Sequence, residues 1–206
     1  MPTADKVDLY QLHKAEYITP RKPVLLDIQP AKYLSIAGAG RAGGPDFQTK
    51  VGALYAAAFT MKFASKSAGR DYSVCKLEAI YWTDPGRGFA DTPLDQWHWD
   101  LIIRVPDFVG AASLRATCAK LAAKQVPHCD ELALKTLREG RCVQMLHVGP
   151  YDREPESIGK MSALAQAEGC EFADTHHEIY LSDPRRVAPE KLRTILRIPV
   201  RQAKKA

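Results

Sequence analysis

The 206-residue sequence predicts an α+β fold: tandem, pseudo-symmetric β-α-β-β repeats with antiparallel sheets and a ligand cleft between the halves. Three observations predict it. Each half shows the same strand, helix, strand, strand periodicity; two signatures recur in the same order in both halves; and one helix per unit leaves sheet surface that a second unit is needed to bury. With 46% hydrophobic and 26% charged residues, the chain has the composition of a folded protein with a real core.

Repeat one, about 24–106, begins with an alternating strand over 31–37, followed by glycines and a helix from Pro45 onward. Phe47, Val51, Leu54, Tyr55 and Ala58 are spaced as one face of that helix. Strands at about 72–82 and 96–105 flank a loop rich in Asp, Pro and Gly. An Ala-rich connecting helix at about 110–124 and a strand at 131–137 lead onward. Repeat two, about 131–200, continues with a strand at 141–148, a Gly149-Pro150 turn and a helix near Pro155 carrying Ile158, Met161 and Ala165 on one face. Strands at about 172–181 and 192–198 complete it. Residues 1–22 read as an N-terminal leader with a short helix around 9–13, and 201–206 as a basic tail.

The echo between the halves extends to detail. Ala79-Ile80-Tyr81-Trp82-Thr83-Asp84-Pro85 aligns with Glu178-Ile179-Tyr180-Leu181-Ser182-Asp183-Pro184, and Ile103-Arg104-Val105-Pro106 with Leu196-Arg197-Ile198-Pro199.

Composition narrows the function. The formal charge of +5 comes partly from Arg21, Lys22, Arg201, Lys204 and Lys205 near the termini, so no concentrated basic stripe marks a nucleic-acid partner. No stretch reaches the roughly 18 apolar residues of a membrane span, and residues 1–8 lack an apolar signal core, so a cytoplasmic protein is expected. Cys75, Cys118, Cys129, Cys142 and Cys170 are scattered without a C-x-x-C pair, against a disulfide framework or a structural zinc site. His176 and His177 are adjacent in a strand and point to opposite faces, which argues against one shared ion, so no metal is expected. The Gly38 to Gly43 run resembles a dinucleotide loop, but Pro45 delays the helix and no acidic residue follows at the required spacing. No Gly-x-Ser-x-Gly elbow is present, and no cofactor is expected.

Strand alternation places His176, Glu178 and Tyr180 on one polar, aromatic face, with His177, Ile179 and Leu181 on the other. A carboxylate walled by rings loses hydration, which raises its pKa and suits it to pair with a cation or to act as a base on water. Tyr55, Tyr81, Trp82, Phe108 and Tyr151 are candidate walls, whereas Trp97 and Trp99 read equally well as core. His147, just before the Gly149-Pro150 turn, is a further candidate near the ligand.

Four segments carry a family resemblance: Lys76-Leu77-Glu78-Ala79-Ile80-Tyr81-Trp82, His147-Val148-Gly149-Pro150-Tyr151-Asp152, His177-Glu178-Ile179-Tyr180-Leu181-Ser182-Asp183-Pro184, and Leu192-Arg193-Thr194-Ile195-Leu196-Arg197-Ile198-Pro199-Val200. The chain resembles the GyrI-like small-molecule-binding family, and more closely its stand-alone branch. That family's first motif usually carries Gly and two Trp where this chain has Ala79, Tyr81 and Trp82. The resemblance implies an aromatic cleft with an acidic residue, Glu178, at its floor. It also implies one of two uses: capture of planar hydrophobic, often cationic molecules for sequestration or sensing, or hydrolysis of cyclopropanoid electrophiles. In the second, Glu178 is the base and Tyr180 or another hydroxyl the donor. The predicted partner is a small molecule, and no helix-turn-helix length precedes the domain to predict a DNA-reading role.

Overall fold

The structure, a computed structural model, describes residues 6–203, so Lys204 and Lys205 of the predicted tail lie outside the described residues. In chain order the elements are α1 (Leu9–Leu12), α2 (Lys14–Tyr17), β1 (Val24–Ile28), β2 (Ala31–Ala39), α3 (Pro45–Ser67), β3 (Glu78–Trp82), β4 (His98–Arg104), α4 (Ala111–Ala122), β5 (Ala133–Leu137), β6 (Gly140–Val148), α5 (Glu154–Ala167), β7 (Cys170–Phe172), β8 (His176–Tyr180) and β9 (Arg193–Gln202). The fold is α+β, and its strand ladders are antiparallel. The chain divides into two compact units. Among the described residues one comprises 6–13, 31–77 and 83–137; the other comprises 14–30, 78–82 and 138–203.

In the first unit β2 lies between β4 and β5, with α3 packed on β2 and β4. The buried face of α3 is Phe47, Lys50, Ala53, Leu54, Ala57, Ala58 and Met61, so Val51 and Tyr55 sit at its margin rather than at its centre. Lys50 replaces an expected apolar position because its ammonium finds partners: it donates to the Ala37 carbonyl at 2.8 Å and meets Glu131 at 2.8 Å. Its aliphatic stem can therefore be covered while its charge is satisfied.

Trp99 is fully buried and its indole N–H donates to the Gly40 carbonyl at 3.1 Å, which places it in the core. Gly38 explains the glycine run at that point: a Cβ there would run into the Trp99 ring. Gly38→Ala should therefore cost about 1–3 kcal/mol, the usual worth of overpacking, read as a lower midpoint in urea unfolding. An unchanged midpoint would show that the indole moves aside freely.

In the second unit the strand order is β1-β6-β9-β8-β3, with β7 paired to β9. Helix α5 covers one face through Met161 and Ala165, which pack with Val143, Met145, Cys170, Leu196 and Ile198. The compact units do not coincide with the two sequence repeats, because repeat one contributes β3 to this sheet, paired with β8. The matched signatures thus meet each other, with Ala79 directly opposite its own repeat counterpart Glu178.

The other face of this sheet carries a buried polar network. His177 lies between Glu78 (3.0 Å from Nε2) and Glu139 (2.9 Å from Nδ1). Arg197 donates to Glu139 at 3.0 Å, to Gln144 at 2.7 Å and to the Glu16 carbonyl at 2.9 Å, while the Tyr17 hydroxyl donates to Glu78 at 3.1 Å. Residues at the end of the expected leader are therefore built into the unit, with Tyr17 buried. Burial alone would lower the His177 pKa, but the Glu139 and Glu78 carboxylates outweigh it and hold the imidazole up to about 9. Burial would raise Glu139; His177 and Arg197 instead hold it down to about 2.

Candidate functional site

The site stands where the N-terminus of α5 meets β8. Opposed residues on paired strands share a face, so the pairings Ala79 with Glu178 and Tyr81 with His176 gather Tyr81, His176, Glu178 and Tyr180 on one side. Glu178 also opposes Leu196, whose side chain belongs to the core under α5, so this is the helix-covered face. The Gly149-Pro150 turn then brings Tyr151 and Glu154 onto it. Gly149 has φ of +141°, and its N–H donates to the Leu192 carbonyl at 3.0 Å. That backbone angle is one an L side chain rarely adopts.

His147 fixes this turn. Its Nδ1 pairs with the Ser157 hydroxyl at 2.9 Å, and its Nε2 donates to the Pro150 carbonyl at 3.1 Å. Both ring nitrogens are thus engaged within the chain, and the geometry gives His147 the work of holding the start of α5 in place.

The centre of the site is acidic. Glu154, His176 and Glu178 are all buried, and one donor atom from each lies within 4.8 Å of the others. His176 Nε2 is 3.1 Å from Glu178 Oε1, whereas Glu154 Oε1 is buried and receives no N–H or hydroxyl among the described residues. Burial and the neighbouring Glu178 carboxyl push the Glu154 pKa well above the carboxylate range, so this carboxyl keeps its proton at neutral pH.

Three phenols line the same region. The Tyr81 and Tyr180 hydroxyls are 2.7 Å apart, and Tyr151, partly exposed, meets the Tyr180 ring edge-on at a centroid distance of 6.1 Å. Burial, followed by the Glu178 carboxylate, holds both Tyr81 and Tyr180 well above the usual phenol value. Tyr151 is pushed up to about 12 by burial, Glu178 and Glu154. All three remain protonated hydroxyls at neutral pH, able to donate to an oxygen that gains negative charge.

Three further predicted residues have neighbours of their own. Trp82 alternates with Tyr81 and falls on the side of Glu78 and Ile80, opposite Glu178. Tyr55 and Phe108 belong to the other unit: Tyr55 stacks on Phe59 along α3 at 6.3 Å, and Phe108 packs against Tyr72 and beneath Arg70. Glu154 was not among the predicted site residues. It opens a helix before Pro155, and a carboxylate there is ordinary helix-start chemistry, so only the fold shows that it faces Glu178.

Residues 23–201 match the family model of the GyrI-like small molecule binding domain, which places the protein in the small-molecule-binding class. Among solved structures it is similar to a hydrolase encoded by lin2189 from Listeria innocua, at 33% identity and a TM-score of 0.86, covering 96% of this chain and 100% of that one. A second hydrolase from Listeria innocua is 34% identical with a TM-score of 0.85, over 95% of this chain and 100% of that one. The EcmrR C-terminal domain, at 12% identity and a TM-score of 0.56 over 88% of this chain and 98% of that one, shares the fold alone. No curated protein matches the sequence. The chain belongs to the GyrI-like family. Among the described residues no helix is long and apolar enough to cross a membrane.

Proposed function

We propose that the protein is a small-molecule hydrolase that takes a planar, hydrophobic electrophile onto the Glu178 face and adds water to it. The observation that carries this reading is the buried carboxyl pair: Glu154 holds a proton beside Glu178, so an acid and a base stand side by side out of water. The Listeria innocua hydrolases, similar over their whole length, support the same class of chemistry.

For a cyclopropane conjugated to a dienone, the steps balance as follows. Glu178 removes a proton from water as the water oxygen bonds to a ring carbon. The strained carbon–carbon bond breaks, and its electron pair passes through the dienone to the carbonyl oxygen, which becomes a phenolate. The phenol hydroxyl of Tyr180 stabilises that oxygen, the phenolate takes up a proton, and Glu178 returns its own to the surroundings. Water is consumed and the proton count is unchanged. His176, bonded to Glu178, is a positioning residue for the base.

A second use, capture without turnover, is favoured by the same face, because a buried carboxylate among tyrosine rings suits a planar cation. Each good cation–ring contact contributes about 0.5–2 kcal/mol. The test is incubation of the full chain with a cyclopropanoid electrophile and, separately, with planar cationic dyes, followed by mass spectrometry and fluorescence. Addition of the mass of water to the electrophile, at a rate that scales with enzyme, is the expected result. Saturable dye binding without any turnover would leave capture as the function. Neither binding nor turnover would remove both uses.

Tyr81→Phe supplies a further check, because it removes one hydroxyl of the Tyr81–Tyr180 pair and keeps the ring. Turnover should fall about tenfold or more, because the Tyr180 hydroxyl loses the partner that orients its bond to the developing charge, with KM little changed. A raised KM at constant kcat would instead assign Tyr81 to binding alone.

A further inference from the structure

We propose that Glu154, His176 and Glu178 form a site for one divalent transition-metal ion. The donor set is an imidazole nitrogen and two carboxylates, supplied by the first turn of α5 and by two positions on one face of β8. Neighbouring ligands in a tetrahedral zinc shell lie about 3.4 Å apart, given metal–ligand bonds of about 2.0–2.2 Å. His176 Nε2 and Glu178 Oε1 are 3.1 Å apart, and the whole set lies within 4.8 Å, so a small closing of Glu154 completes the triangle.

A second observation points to an occupant. Glu154 Oε1 is buried and receives no N–H or hydroxyl among the described residues, its neighbour being the Glu178 carboxyl, and Glu154 as a whole is only 6% exposed. Such an oxygen is costly to bury unless a cation or donor comes to it. Two carboxylates neutralise a dication, and the imidazole selects zinc, manganese or iron over magnesium and calcium, which prefer oxygen alone. The separation of His176 from His177 still holds, because His177 is committed to Glu78 and Glu139 on the reverse face. The proposed site differs from the adjacent-histidine pair that strand alternation rules out: a single histidine joins two glutamates that lie 24 residues apart in the chain.

The ion would engage the same carboxylates that the proposed function assigns to water activation and to organic cations. A bound ion and a planar cation then exclude each other, and this consequence alone rests on that functional reading.

The test uses the full chain freed of metal with a chelator and titrated with Zn²⁺ by calorimetry. One ion per chain is expected, with affinity falling at least about tenfold in Glu154→Gln and in His176→Gln; loss of even an outer-shell partner typically costs 10- to 100-fold. His128→Ala serves as the control for the surface group of His128, Glu131 and Asp46, and should leave the affinity unchanged. Co²⁺ added to the wild-type chain should give visible d–d absorption without a thiolate charge-transfer band, which distinguishes this site from the five free cysteines. If one glutamine variant fails to fold, the other variant and the Co²⁺ spectrum decide. No saturable Zn²⁺ binding, affinity undiminished in the folded variants, or a thiolate band would each overturn the proposal. Dye binding and turnover measured on the metal-free chain test the functional reading separately.

Discussion

Glu178→Gln should lower the turnover of a neutral cyclopropanoid electrophile by roughly 10²- to 10⁴-fold, the usual contribution of a positioned base. Glutamine keeps the size and much of the hydrogen bonding of the side chain, so KM should change little. The loss follows from the chemistry of the proposed step, in which water must surrender a proton as its oxygen bonds to carbon, and an amide cannot take it. Glu154→Gln gives an informative comparison. It replaces a neutral carboxyl by a neutral amide and leaves the Glu178 carboxylate in place, so any loss of rate should be smaller than for Glu178→Gln. Quenched-reaction mass spectrometry at saturating substrate reads both variants, and equal losses would mean that neither carboxyl can be singled out as the base.

The second large effect concerns the reverse face of the same sheet. His177→Leu removes the cation between Glu78 and Glu139 and leaves two buried carboxylates with fewer partners. Breaking a buried pair in this way costs about 3–5 kcal/mol, or roughly 6–20 °C in Tm for a domain of this size. The sign of the pH dependence follows from the shifts. His177 is raised from 6.5 to about 9, so its stabilisation is fully present below about 6.5 and is lost as pH rises through about 9. Glu139 is lowered from 4.5 to about 2, so its contribution is present above about 4.5 and is lost as pH falls through about 2. The wild-type melting temperature should therefore decline between pH 6.5 and 9.5, and His177→Leu should flatten that decline. Parallel curves for the two proteins would show that His177 does not carry the alkaline loss.

Much of this arrangement can be read before any coordinates, and particular residues show where reading stops. The side chains of β8 obey a period of two, so the common face of His176, Glu178 and Tyr180 is legible from spacing alone. The same rule applied to β3 separates Tyr81 from Trp82, a step that motif resemblance obscures because it treats adjacent aromatics as one feature. Glu154 is different: its meeting with Glu178 depends on the packing of α5 over the sheet, a tertiary relation with no local signature. Lys50, Glu139 and Arg197 are hidden for another reason. Hydropathy reads each as surface, whereas Lys50 is buried by pairing with Glu131, and the paired Glu139 and Arg197 side chains cover each other. The matched signatures predict a repeat, but the pairing of β3 with β8 in the second unit depends on strand pairing, which periodicity does not encode.

The central claim is that the Glu178 face receives the ligand, and a charge-selective affinity comparison tests it most directly. Dissociation constants are measured by fluorescence titration for a planar cation and for a neutral molecule of matched shape, against metal-free wild type and Glu178→Gln. Cation affinity should fall roughly 10-fold or more in the variant, because a charge-assisted contact contributes about twice a neutral one, while the neutral molecule keeps its affinity. Equal affinities of wild type and variant for the cation would contradict the claim and make Glu178 a buried structural carboxylate.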